Sequence, residues 1–307
     1  MNDSAKGWLS GFIAVVIFSG SLPATKIAVM DLDPYFLSSA RAVIAAVLGI
    51  GLLVFYREKL PVRRDLISLI ITSLGVVIGF PFLTALALKH IDSAHSIVFI
   101  GLLPLSTAAF GVLRGGERPR AAFWFFSFLG SLFVAGFAWF QSGSGSLSGN
   151  LLMLAAIIVC GLGYAEGGKL SRTLGGWQVI CWSLVLALPL MLPLAIARMP
   201  VSIQSVSVSS WLGLAYVSVL SMLIGFIFWY RGLALGGIAA VGQLQLLQPP
   251  LGLMLAAGLL REHVSATMIA VTVAVIFCVA GAKRFSAPPS LLTPNASNAS
   301  NASNANA

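Results

Sequence analysis

The sequence carries little charge. Only 9% of its 307 residues are charged, whereas a water-soluble domain typically has about a quarter. A soluble protein of this size could not cover its surface with so few charged side chains. The composition therefore excludes a soluble enzyme, a disulfide-rich secreted domain and a nucleic-acid-binding protein. The net charge of +9 is then a signal of membrane topology.

Histidine and cysteine are also scarce, with three of each. The cysteines, Cys160, Cys181 and Cys278, all fall inside apolar runs, where a thiol behaves as a small apolar side chain. No CxxC pair and no Cys/His spacing typical of a metal site occurs. The sequence thus predicts no metal, no cofactor and no enzyme activity.

Long apolar runs dominate the chain, with 58% hydrophobic residues and a mean hydropathy of +0.98. Each run approaches or exceeds the roughly 20 residues that cross a bilayer as a helix. Because the loops between runs are short, we expect consecutive helices to be antiparallel neighbours. We predict an all-α polytopic membrane protein with ten transmembrane helices. They cover residues 8–28, 34–56, 65–88, 94–114, 120–140, 150–171, 177–198, 209–231, 238–260 and 265–285.

Lysine and arginine are unevenly distributed between alternate loops. If the N-terminus is cytoplasmic, about thirteen lie in inside segments and four in outside segments. Since cytoplasmic loops are enriched in these residues, both termini are predicted to be cytoplasmic. The inside group is Lys6, Arg57, Lys59, Arg63, Arg64, Arg114, Arg118, Arg120, Lys169, Arg172, Arg231, Lys283 and Arg284, and the outside group is Lys26, Lys89, Arg198 and Arg261.

The two halves of the chain resemble each other at an offset of about 145 residues. IGFPF at 78–82 matches IGFIF at 224–228, Pro104 matches Pro249, and Glu117 matches Glu262. Five helices per copy is an odd number, so the second copy must enter the membrane from the opposite side. We predict two inverted five-helix repeats, 1–140 and 150–285. The Asn-Ala-Ser-rich tail, 286–307, is predicted to be disordered and is assigned no function.

Two long segments match each other between the halves, ALKHIDSAHSIVFIGLLPLSTAAFGVLRGGERP in the first and ALGGIAAVGQLQLLQPPLGLMLAAGLLREH in the second. Both resemble a known family, the EamA-type drug/metabolite transporter superfamily, and the second carries Arg261-Glu262 where Gly-Glu is usual. The resemblance covers roughly residues 8–285. Within this superfamily, SGSLPATKIA and GLGYAEGGKLSR are most similar to the bacterial aromatic amino-acid exporters of the YddG type.

This resemblance implies a carrier of the bacterial inner membrane that exports amino acids, with aromatic and other apolar side chains favoured. Alternating access around a central, mostly apolar cavity is the implied mechanism. Its partners would be a small-molecule substrate and the lipid bilayer, and proton coupling is a further hypothesis. The alternative within the superfamily is an exporter of other small metabolites or drugs. A lipid scramblase or a membrane scaffold is the alternative from a different class.

Four prolines inside the predicted helices are candidate hinges. Pro23, Pro104, Pro249 and Pro250 each lack a backbone N–H and free a carbonyl four residues earlier. The freed carbonyls and kinks would line a cavity at the middle of the membrane. The alternative is that these prolines bend the helices for packing alone.

Polar residues within the predicted helices are candidate substrate ligands. Gln245 and Gln248 are three residues apart and share a helix face, where they bind substrate or tie helices together. Glu166 is either a proton-coupling carboxylate or the partner of Lys169 in a pair near the interface. Arg41 is either the ligand of a substrate carboxylate or part of a structural pair.

The remaining candidates are His95 and three aromatic residues. His95 stands near the outer entrance of the fourth predicted helix, where it titrates near neutral pH or is simply solvated. Phe82, Phe99 and Tyr164 are candidates for an apolar cavity wall, although single aromatic residues more often pack or face lipid. Glu117 and Glu262 each precede a predicted helix, where a carboxylate suits the N-terminus.

Overall fold

The computed structural model describes residues 2–87, 90, 99–141, 147–260 and 266–285. Within these ranges every regular element is helical. The helices are α1 Asp3–Ser19, α2 Ser21–Ala28, α3 Pro34–Phe55, α4 Arg63–Thr72, α5 Phe80–Ala87, α6 Leu103–Gly115, α7 Ala121–Gln141, α8 Leu147–Leu170, α9 Gly176–Ala197, α10 Val208–Ala215, α11 Phe226–Gly236, α12 Ile238–Gly242, α13 Gln248–Leu260 and α14 Ala266–Phe285.

Six helical stretches in the described part of the chain are long and apolar enough to cross a membrane. Three of them combine two consecutive α-helices, which are separated by one residue or joined by a π-helical segment. The six stretches are Asp3–Ala28, Pro34–Phe55, Arg63–Ala87, Leu147–Leu170, Gly176–Ala197 and Val208–Gly236.

Several of these helices change their winding partway along. Ser73–Gly79 joins α4 to α5 and Tyr216–Gly225 joins α10 to α11, both as π-helical segments. Gln243–Leu247 joins α12 to α13 as a 3₁₀ segment. Such segments leave backbone groups less regularly bonded than an α-helix does, and they are frequent at functional sites.

The four candidate hinge prolines all stand in the first turn of a helix that follows a break. Pro104 is the second residue of α6, Pro249 and Pro250 are the second and third of α13, and Pro23 is the third of α2. At these positions a proline loses no helical hydrogen bond, because first-turn N–H groups have no partner within the helix. The prolines therefore mark where helices restart. Whether the breaks act as hinges stays a prediction.

Contacts between helix ends define two ends of the bundle. At one, which we name the basic end, Lys283 Nζ lies 4.7 Å from the ring centroid of Trp8, and Gln178 donates to Glu58 at 3.0 Å. At the opposite, Asp31 end, the segment after α2 is hydrogen-bonded to the start of α10. The α2–α3 connection and the end of α9 also meet here, with Arg198 5.1 Å from the ring centroid of Tyr35.

Glycines bring α1 and α11 into backbone contact. Gly7 and Gly11 are one turn apart on α1, and Gly232 and Gly236 are one turn apart on α11. A Cβ atom added at Gly232 would lie 2.8 Å from the Gly11 nitrogen, and one added at Gly7 would lie 2.5 Å from the Gly236 nitrogen. This is the small-xxx-small packing that lets membrane helices approach closely. It joins the first helix of the chain to a helix of the second half.

We expect Gly232→Ala to lower the stability of the detergent-purified protein by about 1–3 kcal/mol, since the new methyl group meets backbone that cannot move aside. Thermal unfolding measures the change. Gly51→Ala is the matched control, because nothing lies within 4 Å of a Cβ at that position. A Gly232→Ala melting curve that coincides with those of the wild type and the control would contradict this close packing.

Candidate functional site

A cavity of about 290 Å³ runs from the Asp31 end into the middle of the bundle. Residues of α2, α3 and α5 form one part of its wall, and residues from the second half of the chain form the opposite part. Its described lining consists of Phe18, Ser21, Thr25, Val29, Pro34, Leu37, Ser38, Arg41, Val76, Phe80, Pro81, Thr84, Ala85, Ile100, Leu103, Tyr164, Ser221, Phe226 and Gln248. The two halves of the chain therefore share this site.

Arg41 is the charged residue of this lining. It stands two turns into α3, a helix that starts at Pro34 under a cap from Asp33, whose carboxylate accepts from the Tyr35 and Phe36 N–H groups at 2.9 and 3.1 Å. The Arg41 Nε atom is buried and has no hydrogen-bond partner within the described structure. No hydrogen bond or ion pair joins its guanidinium to another described residue. A desolvated cation without a counterion is unfavourable in free energy inside a membrane protein. We therefore expect this guanidinium to bind an anion.

Uncharged polar groups share the cavity with Arg41. Thr84 is 6% exposed, and its hydroxyl has no partner within the described structure. Ser21 and Ser221 bond to each other at 2.8 Å across the two halves of the chain. Gln248, the first residue of α13, adds an amide. These hydroxyl and amide groups can donate to or accept from a bound solute, but they supply no charge.

Aromatic rings close the deep part of the cavity. Phe18 and Phe226 have centroids 5.1 Å apart, and Tyr164 and Phe226 have centroids 5.9 Å apart. The fully buried Trp229 stands behind them, 5.2 Å from Tyr164 and 6.1 Å from Phe18. The packed rings form an apolar floor against which a large side chain of a solute can lie.

The structure separates the two candidate glutamines. Gln248 lines the cavity, whereas Gln245 is fully buried outside the described lining and its amide reaches the Thr107 hydroxyl at 3.5 Å. Gln243, also fully buried, has no partner within the described structure for either amide atom. Its buried polar group in a 3₁₀ segment was not evident from helical spacing.

Glu166 lies outside the described lining and is already paired. Its carboxylate is 1% exposed, accepts from Arg114 Nε at 2.8 Å and accepts from the Ser68 hydroxyl at 2.6 Å. The sequence interpretation offered Lys169 as its ion-pair partner, because that residue is near in sequence. The structure instead gives this role to Arg114, 52 positions away, because α6 packs beside α8.

Glu117 forms a second polar cluster at the basic end. It accepts from Arg172 Nη2 at 2.6 Å and from the backbone N–H groups of Ile238 and Ala239 at 2.7 and 2.6 Å. Its carboxylate thus binds the start of α12. The sequence placed Glu117 at the N-terminus of the next helix along the chain, and the carboxylate instead caps a helix from the other half.

Asp31 makes the corresponding contact at the opposite end of the bundle. It accepts from the Ser207 hydroxyl, from the Ser207 N–H at 3.0 Å and from the Ser210 hydroxyl at 2.8 Å. These hydrogen bonds, the Ser207 hydroxyl first, hold the pKa of Asp31 below its ordinary value of 3.8. They tie the segment after α2 to the start of α10, beside the mouth of the cavity.

Two of the other candidates, Phe82 and Phe99, do not line this cavity. Phe82 packs against Tyr35 with centroids 5.7 Å apart and does not belong to the described lining. Phe99 packs against the main core and also lies outside the lining. His95 and Glu262 lie outside the described residues. Among the described residues no cluster of three or more His, Cys, Asp or Glu side chains could hold a metal ion.

The Asp31 hydrogen bonds make a pH-dependent contribution to stability. Because the pKa of Asp31 is lower in the folded protein, this contribution is complete above the ordinary value of 3.8 and is lost as the pH falls through the lowered value. We expect Asp31→Asn to lower the melting temperature at pH 6 to 7, and the gap from wild type to narrow as the pH falls below 3.8. Thermal unfolding across this pH range measures the difference in melting temperature. A gap that stays constant down to the lowest pH would contradict the prediction.

The described part of the chain is an all-helical bundle with six membrane-length apolar helices and a cavity shared by its two halves, and these are features of a membrane carrier. The chain belongs to the EamA-like transporter family, whose model matches residues 5–140 and again residues 147–282. The family domain is thus duplicated within one chain. The protein is a multi-pass membrane transporter, and a transporter of this kind takes a small-molecule substrate in a lipid environment.

Curated relatives agree with this assignment. The chain is 64% identical over 286 residues to a Bacillus subtilis (strain 168) protein named "Uncharacterized transporter YdeK", a match that covers 93% of this chain and 100% of that protein. It is 25% identical to an Archaeoglobus fulgidus protein named "Uncharacterized transporter", over 72% of this chain and 78% of that one.

A solved structure, described as "Crystal structure of protein", has the same fold. It matches with a TM-score of 0.75 at 20% identity and covers 90% of this chain and 97% of its own. At this identity the likeness concerns the arrangement of helices and carries no information about the substrate.

Proposed function

We propose that the protein exports amino acids from the bacterial cytoplasm, with aromatic and other apolar side chains favoured. The observation that carries the proposal is the cavity. It offers a guanidinium without a partner among the described residues, several uncharged polar groups and an aromatic floor. Its volume of about 290 Å³ is close to the lower limit of roughly 300 Å³ for ligand pockets and suits one small solute.

The carboxylate and the side chain of an amino acid each have a counterpart in this cavity. The carboxylate pairs with Arg41, because a guanidinium binds a carboxylate through two parallel hydrogen bonds. The side chain lies on the floor of Phe18, Tyr164 and Phe226. The Gln248 amide and the hydroxyls of the wall are within the same cavity for the remaining polar atoms.

We propose alternating access between two inverted five-helix units, 1–140 and 150–285, with ten transmembrane helices in all. The duplicated family domain supports this topology. The basic end is cytoplasmic in the proposal, since Lys and Arg concentrate on that side of a membrane. Reporter domains fused before Asn2 and after Phe285 would both be active in the cytoplasm only. Activity of either reporter on the outer side would contradict this orientation.

The polar clusters at the basic end support a state that is closed on the cytoplasmic side. Glu117 with Arg172, and Glu166 with Arg114, join helices that a cytoplasmic opening would separate. The cavity leads instead toward the Asp31 end, where Val29 and Pro34 line it. In the proposed cycle these ion pairs break when the cavity opens to the cytoplasm and re-form after the solute has entered.

Counterflow in liposomes tests the proposal. Liposomes that contain the protein and unlabelled phenylalanine should take up labelled phenylalanine, in competition with other apolar amino acids. Gln248→Ala should raise the half-saturating concentration about fivefold, since one hydrogen bond contributes about 1 kcal/mol. Gln204→Ala, an exposed position outside the cavity, is the matched control. Exchange of other metabolites without any amino acid would favour the alternative substrate class.

We further propose Glu166 as the group through which a proton gradient acts, because protonation of this buried carboxylate would remove its ion pair with Arg114. In the same liposomes, Glu166→Gln should abolish acceleration by an imposed pH gradient and leave counterflow intact. Asp3→Asn, an exposed carboxylate paired with Lys6 near the basic end, is the control. Gradient-driven transport that is unchanged in Glu166→Gln would refute this role.

A further inference from the structure

The described lining of the cavity carries a net positive charge, and this charge affects which solutes the cavity can bind. Arg41 contributes a positive charge, and no carboxylate belongs to the described lining. A zwitterion that enters brings a carboxylate, which pairs with Arg41, and also an ammonium group, which has no opposite charge to meet. A solute that carries only the carboxylate neutralises the cavity.

The described carboxylates near the cavity are each engaged by protein groups. Asp31, two residues after Val29, accepts three hydrogen bonds from Ser207 and Ser210. Asp33, beside Pro34, caps α3. Glu166, two residues after Tyr164, is bound by Arg114 and Ser68. Reassigning any of these to a substrate ammonium would break hydrogen bonds that it already accepts. The cost is greatest for Glu166, which is 1% exposed, whereas Asp31 and Asp33 are exposed.

The uncharged groups do not replace a counterion. The Ser21 and Ser221 hydroxyls are bonded to each other, and the Thr84 hydroxyl and the Gln248 amide carry no charge. An ammonium group in this cavity would therefore lose strong hydration in return for neutral acceptors, and it would also be repelled by Arg41. A carboxylate gains two charge-assisted hydrogen bonds from the same guanidinium.

We infer that the site recognises the carboxylate and the apolar body of its solute and does not recognise an ammonium group. The substrate class therefore extends to apolar monocarboxylates that lack an amino group, such as aryl-substituted short-chain acids. This inference rests on the proposed function, because it assigns the same cavity as the transport site.

A series of three compounds that differ in one charged group tests it. The compounds are L-phenylalanine, 3-phenylpropanoate, which lacks the ammonium, and 2-phenylethylamine, which lacks the carboxylate. Each is measured as an inhibitor of counterflow and as a ligand that raises the melting temperature of the purified protein. We expect 3-phenylpropanoate to bind at least as tightly as L-phenylalanine, and 2-phenylethylamine about tenfold more weakly or worse.

The variant Arg41→Gln provides a second test of the inference. The preference for 3-phenylpropanoate over 2-phenylethylamine should fall about tenfold or more in this variant and stay unchanged in Lys26→Gln, which removes an exposed cation of α2 outside the described lining. If Arg41→Gln does not fold, the ratios for the wild-type protein decide the question.

Two results would overturn the inference. One is binding of 3-phenylpropanoate at least tenfold weaker than that of L-phenylalanine, and the other is binding of 2-phenylethylamine as tight as that of 3-phenylpropanoate. Failure of the proposed function has a different signature, which is the absence of counterflow for every amino acid. Tight binding of 3-phenylpropanoate together with that absence would reject the amino-acid assignment and keep the inference.

Discussion

The guanidinium of Arg41, which has no partner in the described part of the chain, gives the cavity its chemistry. A positive charge buried in a helical bundle without a counterion costs free energy, and the fold bears this cost where a solute can enter. Most other charged groups near the cavity have partners. Glu166 accepts hydrogen bonds from Arg114 and Ser68, and Asp31 accepts them from Ser207 and Ser210. Among these charged groups, Arg41 is therefore the one that can bind an anion.

The two ends of the bundle are closed by different means. At the basic end, carboxylates meet arginines and backbone N–H groups from distant parts of the chain, as in the Glu117 cluster. At the Asp31 end, one carboxylate binds serine groups beside the mouth of the cavity. Close to the basic end, glycines such as Gly11 and Gly232 also hold two helices at backbone distance. Polar contacts and close helix packing thus both join the two halves of the chain.

Membrane class and helix content could be predicted from composition. A helix that crosses a bilayer needs a minimum length of apolar residues, and such runs are visible in the sequence. The candidate site could be predicted only in part. Arg41, Tyr164 and Gln248 belong to the described lining of the cavity, whereas Gln245 and Phe82 do not. A long run of apolar residues identifies a membrane helix readily. Which face of that helix lines a cavity depends on neighbouring helices that are distant in sequence. Local winding adds to this, since Gln243–Leu247 is not an α-helix.

By itself the sequence determined that the chain belongs in a membrane, that its two halves are related, and that an arginine stands deep within an apolar helix. Hydropathy and internal similarity are properties of the chain and need no contacts to be read. Only the tertiary structure decided that Glu166 pairs with Arg114, that Glu117 caps α12, and that Arg41 has no partner among the described residues. Each of these depends on which helices pack side by side, and that is set by shape and burial across the whole bundle.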